Sequence, residues 1–112
     1  MKLDGIRVLD LSRFLPGPWI SMTMADHGAE VIKVEGASGE PARHIGPRID
    51  GHTAYFRNTQ RGKRSIVLDL KSDEGREVFL QLAESSDVVI DSFRPGVVDR
   101  LGIGYEAVRR RV

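Results

Sequence analysis

The sequence predicts an α/β fold: a mostly parallel sheet with helices on its faces. Three observations predict it. Short apolar, β-branched runs recur at residues 5–11, 29–35, 66–70 and 87–91. Segments with apolar residues at helical spacing separate them. Glycine, proline and capping residues stand at the joints. Strands that alternate with helices bury both faces of a parallel sheet, and such strands read as near-continuous hydrophobic runs.

Residues 5–11 supply Ile6, Val8, Leu9 and Leu11 to a first strand. Residues 12–18 connect it to a helix, with Pro18 suited to the first helical turn. From Trp19 to His27 that helix carries Trp19, Ile20, Met22, Met24 and Ala25 as a crowded apolar face, read as core, and Gly28 stops it. Residues 29–35 form a second strand and complete a βαβ unit, right-handed by the general rule. From Gly36 to Gly62 periodicity disappears, and only residues 53–56 suggest a helical turn. A run of that length without structure is functional or mobile. A basic turn with Arg61, Lys63 and Arg64 then enters a largely buried third strand of Ile66, Val67, Leu68 and Leu70.

Ser72 caps the next helix, residues 72–84, and Asp73 and Glu74 suit its positive end. Val78, Phe79, Leu82 and Ala83 form its buried face. Residues 87–91 are a fourth strand. A short helix follows to about Leu101, and another begins near Tyr105 and is still open at Val112. The chain therefore reads as the truncated N-terminal part of a larger domain, with residues 1–112 as one unit.

Bulk properties exclude several functions. With 17 basic and 16 acidic residues the net charge is +1, so no general attraction to nucleic acid or anionic membrane is expected, and any anion site is local. Without cysteine there is no disulfide, thiolate metal site or thiol catalysis. No apolar run spans a membrane and the first residues do not open a signal peptide, which leaves a cytoplasmic location as the default.

The chemistry concentrates where strands end. In open α/β sheets ligands bind at the carboxyl ends of the strands. No Gly-x-Gly-x-x-Gly or Gly-x4-Gly-Lys-Ser/Thr is present, so the usual phosphate loops are absent. Separate side chains are the alternative. Lys71 follows one strand and Arg94 and Arg100 follow another; if those strands are neighbours the three cations converge on phosphate. The competing reading is three solvated cations. Asp10 and Asp91 lie at strand ends, where turn or cap roles are common. His27 suits a helix end, and His44 and His52 lack a second ligand at metal-site spacing. No serine lies in a nucleophile motif.

Five motifs occur in order: residues 5–12, Pro16-Gly17-Pro18, residues 25–35, residues 61–71, and residues 92–97 with Leu101-Gly102. As an ordered set they resemble the class III coenzyme A transferases of CaiB/BaiF type, which include formyl-CoA transferase and α-methylacyl-CoA racemase. The resemblance implies a Rossmann-like domain that binds the ADP and pantetheine portions of CoA. It places Leu15 and Pro16 along the CoA site, Leu68, Asp69, Leu70 and Lys71 at the nucleotide, Ser92, Phe93 and Arg94 beside it, and Arg100 at a phosphate.

Members often hold the adenine end with an arginine where this chain has Gly36; Arg43 or Arg48 could substitute. The resemblance further implies acyl-CoA and a carboxylic acid acceptor as substrates, no tightly bound cofactor, and an interlocked homodimer. The family's nucleophilic aspartate lies downstream of these residues, so no catalytic residue is assigned here and the chain by itself is expected to be inactive. A 2-methylacyl-CoA racemase of the same family, and a stand-alone CoA- or nucleotide-binding module, are the alternatives; Pro16-Gly17-Pro18 occurs on both enzyme branches and does not decide between them.

Overall fold

Val8 and Leu9 are fully buried and turn to opposite faces, so the first strand is the centre of the molecule. The computed structural model describes all residues, 1–112. The elements are β1 (Arg7–Asp10), α1 (Pro16–Asp26), β2 (Glu30–Glu35), a 3-10 helix (Pro41–His44), β3 (Arg48–Ile49), β4 (His52–Thr53), α2 (Ala54–Gln60), β5 (Lys63–Val67), α3 (Asp73–Glu84), β6 (Val88–Ile90), α4 (Val97–Arg100) and α5 (Tyr105–Arg109). Four strands make an all-parallel sheet in the order β5-β2-β1-β6. The chain builds outward from β1 through β2 to β5, then returns to the other side of β1. That is the doubly wound arrangement, with its switch point between β1 and β6. The expected α/β class is what the chain adopts.

Each face has its own core. Leu9, Leu11 and Val34 pack with Phe79, Leu80, Ala83 and Ile103 under α3 and the C-terminal segment. Val8, Ala29 and Val31 pack with Met24 and Ala25 of α1. In α3 the buried set is Gly75, Phe79, Leu80 and Ala83, so Val78 lies outside and Leu80 replaces it. Ser72 caps α3 by accepting a hydrogen bond from the Gly75 N–H at 3.0 Å. Ser72→Ala is therefore expected to cost about 1 kcal/mol, measured as a lower urea midpoint with an unchanged slope.

Four expectations change. Strand β5 begins at Lys63 rather than Ile66, and as an edge strand it is mostly exposed rather than largely buried; Leu68 and Leu70 lie beyond its end. Trp19 and Ile20 are about half exposed, while Met22 fills the core; the α1 apolar face is wider than the sheet beneath it can cover. The run from Gly36 to Gly62 is structured, with the 3-10 helix, the β3–β4 hairpin and α2, which Thr53 caps through the Phe56 N–H. Its order comes from tertiary contacts that periodicity does not encode. Lastly, β5 and β6 are opposite edges separated by two strands, so the adjacency needed to bring Lys71 together with Arg94 and Arg100 does not exist.

Candidate functional site

A cleft of about 570 Å³ opens along the carboxyl edge of the sheet. Residues 11–13 after β1, 34–37, 39 and 40 around the end of β2, 68–71 after β5, and Phe93, Val97 and Leu101 after β6 line it. Parallel strands put all four of these ends on one edge, and the switch point keeps the crevice open.

Local geometry sets the walls. Leu68 N–H continues the ladder to the Glu35 carbonyl at 2.9 Å. Asp69 then turns the chain, its carboxylate accepting from the Lys71 N–H at 3.0 Å and its carbonyl from the Ser72 hydroxyl at 2.8 Å. Gly75 packs against that turn so closely that a Cβ would collide with the Asp69 carbonyl. On the opposite side the Ser92 hydroxyl accepts from the Arg13 N–H at 3.0 Å, and the Arg13 guanidinium lies 5.0 Å from the Phe93 ring centre. Gly17 allows α1 to meet the loop, since a Cβ there would strike the Ser12 side chain.

Beneath the cleft floor lies a buried charge network that the sequence pattern did not reveal. Asp10 is completely buried and accepts from Lys63 Nζ at 3.0 Å, Ser21 Oγ at 2.5 Å, the Ser12 N–H at 2.8 Å and the Ser12 hydroxyl. Its turn role was expected; its ion pair was not. Lys63 Nζ spends its other donors on the Pro18 carbonyl at 3.0 Å and Gln60 Oε1 at 2.7 Å. Three acceptors satisfy three donors, which is why a residue expected in a solvated turn is buried. Lys33 Nζ reaches the Ser12 carbonyl at 3.0 Å.

A second half follows. Glu35 accepts from Arg43 through both oxygens at 2.7 and 2.8 Å, from the Glu40 N–H at 2.7 Å and from Ser65 Oγ. Glu40 in turn accepts from the Phe14 N–H at 2.6 Å and the Ala42 N–H at 2.5 Å. Phe14 is held with φ of 67°, a left-handed conformation that non-glycine residues seldom adopt. Three carboxylates thus face three cations.

The titration behaviour follows from this geometry. Burial pushes the Asp10 carboxyl up, but the two lysines and two serine hydroxyls outweigh it and hold it below its ordinary value. Burial lowers Lys33 and Lys63, against the pull of Asp10. Burial likewise raises Glu35, yet Arg43, Ser65 and the Glu40 N–H bring it down to about 2. The signal for this cluster lay in Asp10 and Lys33, single charges inside apolar strand runs, where a buried charge needs a partner.

The structure distributes the expected site residues unevenly. Leu68, Asp69, Leu70, Lys71 and Phe93 line the cleft, and Ser92 supports its rim. Leu15 and Pro16 are exposed beside it without lining it, and Arg94 and Arg100 are exposed on the β6 side, with the Arg100 guanidinium lying over Gly96. The substitutes suggested for an arginine at position 36 do not enter it: Arg43 is bound to Glu35 and stacked 3.9 Å from the centre of Phe56, and Arg48 bonds the Gly51 carbonyl. Gly36 itself faces open space. Arg13, which no sequence motif singled out, does line the cleft. A separate, mostly apolar groove of about 590 Å³ runs along the free edge of β6, with Asp87, Asp91 and Arg109 among its lining residues.

An open doubly wound sheet with a cleft at its switch point is the geometry at which α/β folds place their ligands. The chain belongs to CoA-transferase family III, whose model matches residues 3–112. It is 44% identical over 112 residues to a succinyl-CoA:mesaconate CoA-transferase of Haloarcula hispanica, covering 96% of this chain and 28% of that protein. It is 42% identical over 108 residues to an acetyl-CoA:oxalate CoA-transferase of Acetobacter aceti, covering 96% and 28%. The crystal structure of a CAIB/BAIF family protein from Brucella suis superposes with a TM-score of 0.91 at 42% identity, over 96% of this chain and 30% of that one. The chain thus spans less than a third of the length of the relatives it matches.

Proposed function

We propose that this chain binds the nucleotide handle of an acyl-CoA within an enzyme that moves CoA from one carboxylic acid to another. The observation that carries this is the cleft at the switch point of a family III chain, with Lys71 on one wall and Phe93 on the other. Lys71 supplies a charge for phosphate; Phe93 supplies an apolar and stackable surface. The transferase names of the relatives favour transfer over racemisation. No residue of this chain is proposed as the nucleophile. Formation of an aspartyl intermediate, the choice of acyl group and acceptor, and assembly as a homodimer belong to the remainder of the protein on this reading.

Calorimetric titration with CoA tests it. Lys71→Ala is expected to weaken binding about 10- to 100-fold, the loss of one charge-assisted hydrogen bond. Arg100→Ala should weaken it by no more than about fivefold, as an exposed charge outside the cleft. A wild-type protein that fails to bind CoA overturns the reading. A larger loss at Arg100 than at Lys71 moves the phosphate contact to the β6 side.

A further inference from the structure

The start of α1 lacks the device by which such folds usually hold phosphate. A helix N-terminus binds anions through free backbone N–H groups. Here α1 opens on Pro16-Gly17-Pro18, so two of its first three residues carry no N–H, and the Trp19 N–H is committed to the Leu15 carbonyl at 2.9 Å. The loop before it contains no glycine-rich cradle either. A negatively charged ligand at the switch point therefore finds few backbone donors at this helix start, and side chains must supplement them.

Arg13 stands at that place. It follows β1 directly, lines the cleft, and its side chain has no hydrogen bond or ion pair to any residue. Two contacts fix its position without using its donors. The Ser92 hydroxyl holds its backbone N–H, and the guanidinium carbon lies over the Phe93 ring, 5.0 Å from its centre. A cation–π contact consumes none of a guanidinium's N–H donors, which stay available in the fork geometry that matches two phosphate oxygens. The nearby acids do not compete for it. Glu35 is taken by Arg43, Ser65 and the Glu40 N–H, and Glu40 by the Phe14 and Ala42 N–H groups.

We propose that Arg13 is the anchor for the diphosphate of the bound ligand, a side chain doing what backbone donors do in glycine-rich loops. This assignment deepens the CoA-binding reading and rests on it. The test is calorimetric titration of the wild type, Arg13→Ala and Arg13→Lys with CoA, 3′-dephospho-CoA and adenosine. Arg13→Ala is expected to weaken CoA and 3′-dephospho-CoA equally, about 10- to 100-fold, and to leave adenosine unchanged; Arg13→Lys should recover only part of the loss, since an ammonium lacks the fork.

Loss on CoA alone would place Arg13 at the 3′-phosphate and overturn the diphosphate assignment. Equal loss on adenosine would overturn it too, making Arg13 a wall of the cleft rather than a phosphate ligand. Normal CoA binding by Arg13→Ala overturns the proposal while leaving the CoA reading intact, whereas a wild type that binds none of the three removes both.

Discussion

Replacing Asp10 with alanine is expected to cost about 3–5 kcal/mol of stability, because it strands buried ammonium groups without their counter-charge. Lys63 and Asp10 have side chains 2% and 0% exposed, so water cannot take over the pairing. Lys33, 1% exposed, loses at the same time the negative charge that acts on it most strongly. Equilibrium urea unfolding measures the loss. Adding Lys63→Met should then restore part of it, since the second change removes one of the stranded charges and leaves an apolar chain of similar length. If the double variant were as unstable as the sum of the two single changes, Asp10 and Lys63 would not be energetically coupled and the network would be only an arrangement of neighbours.

Acidification should weaken the fold chiefly through Glu35. Its folded pKa, about 2, lies below the ordinary value of 4.5. A carboxylate with a depressed folded pKa stabilises fully above its unfolded value, and that stabilisation drains away as pH falls through the folded one. The window is therefore pH 4.5 down to 2, and the integrated loss is about 3 kcal/mol. Asp10 adds to the same slope, its carboxyl also being held low. Glu35→Gln should flatten the stability curve in that window and leave part of the slope, carried by Asp10. Identical slopes for variant and wild type would remove Glu35 as the source.

The sheet was legible because buried parallel strands announce themselves: the runs around Val8, Val31 and Val88 are apolar on both faces. The Ser72 cap and the α3 start were legible for a similar reason, since a hydroxyl before two acids has a local meaning. The segment from Gly36 to Gly62 was not. Its order depends on Glu35 meeting Arg43, Glu40 meeting the Phe14 N–H, and Thr53 meeting the Ala42 carbonyl at 2.5 Å, none of which leaves a periodic trace. The strand adjacency assumed for Lys71, Arg94 and Arg100 failed on topology alone: strand order is a property of the whole sheet, and β5 and β6 are its two edges. Arg13 escaped notice because an arginine in a loop looks like any solvated charge until Phe93 and Ser92, some eighty residues later, are brought beside it.

The pairing of Asp10 with Lys63 also sets an order of assembly. The two are 53 positions apart, so the first strand, its helix and the second strand are all synthesised while the ammonium that neutralises Asp10 is still unmade. Synthesis at roughly 5–20 residues per second leaves that half-built unit waiting for seconds. During that interval Lys33 is the only lysine of the cluster present, and the β1–α1 unit cannot reach its final electrostatic balance. The charge balance around Asp10 is thus completed only when β5 arrives.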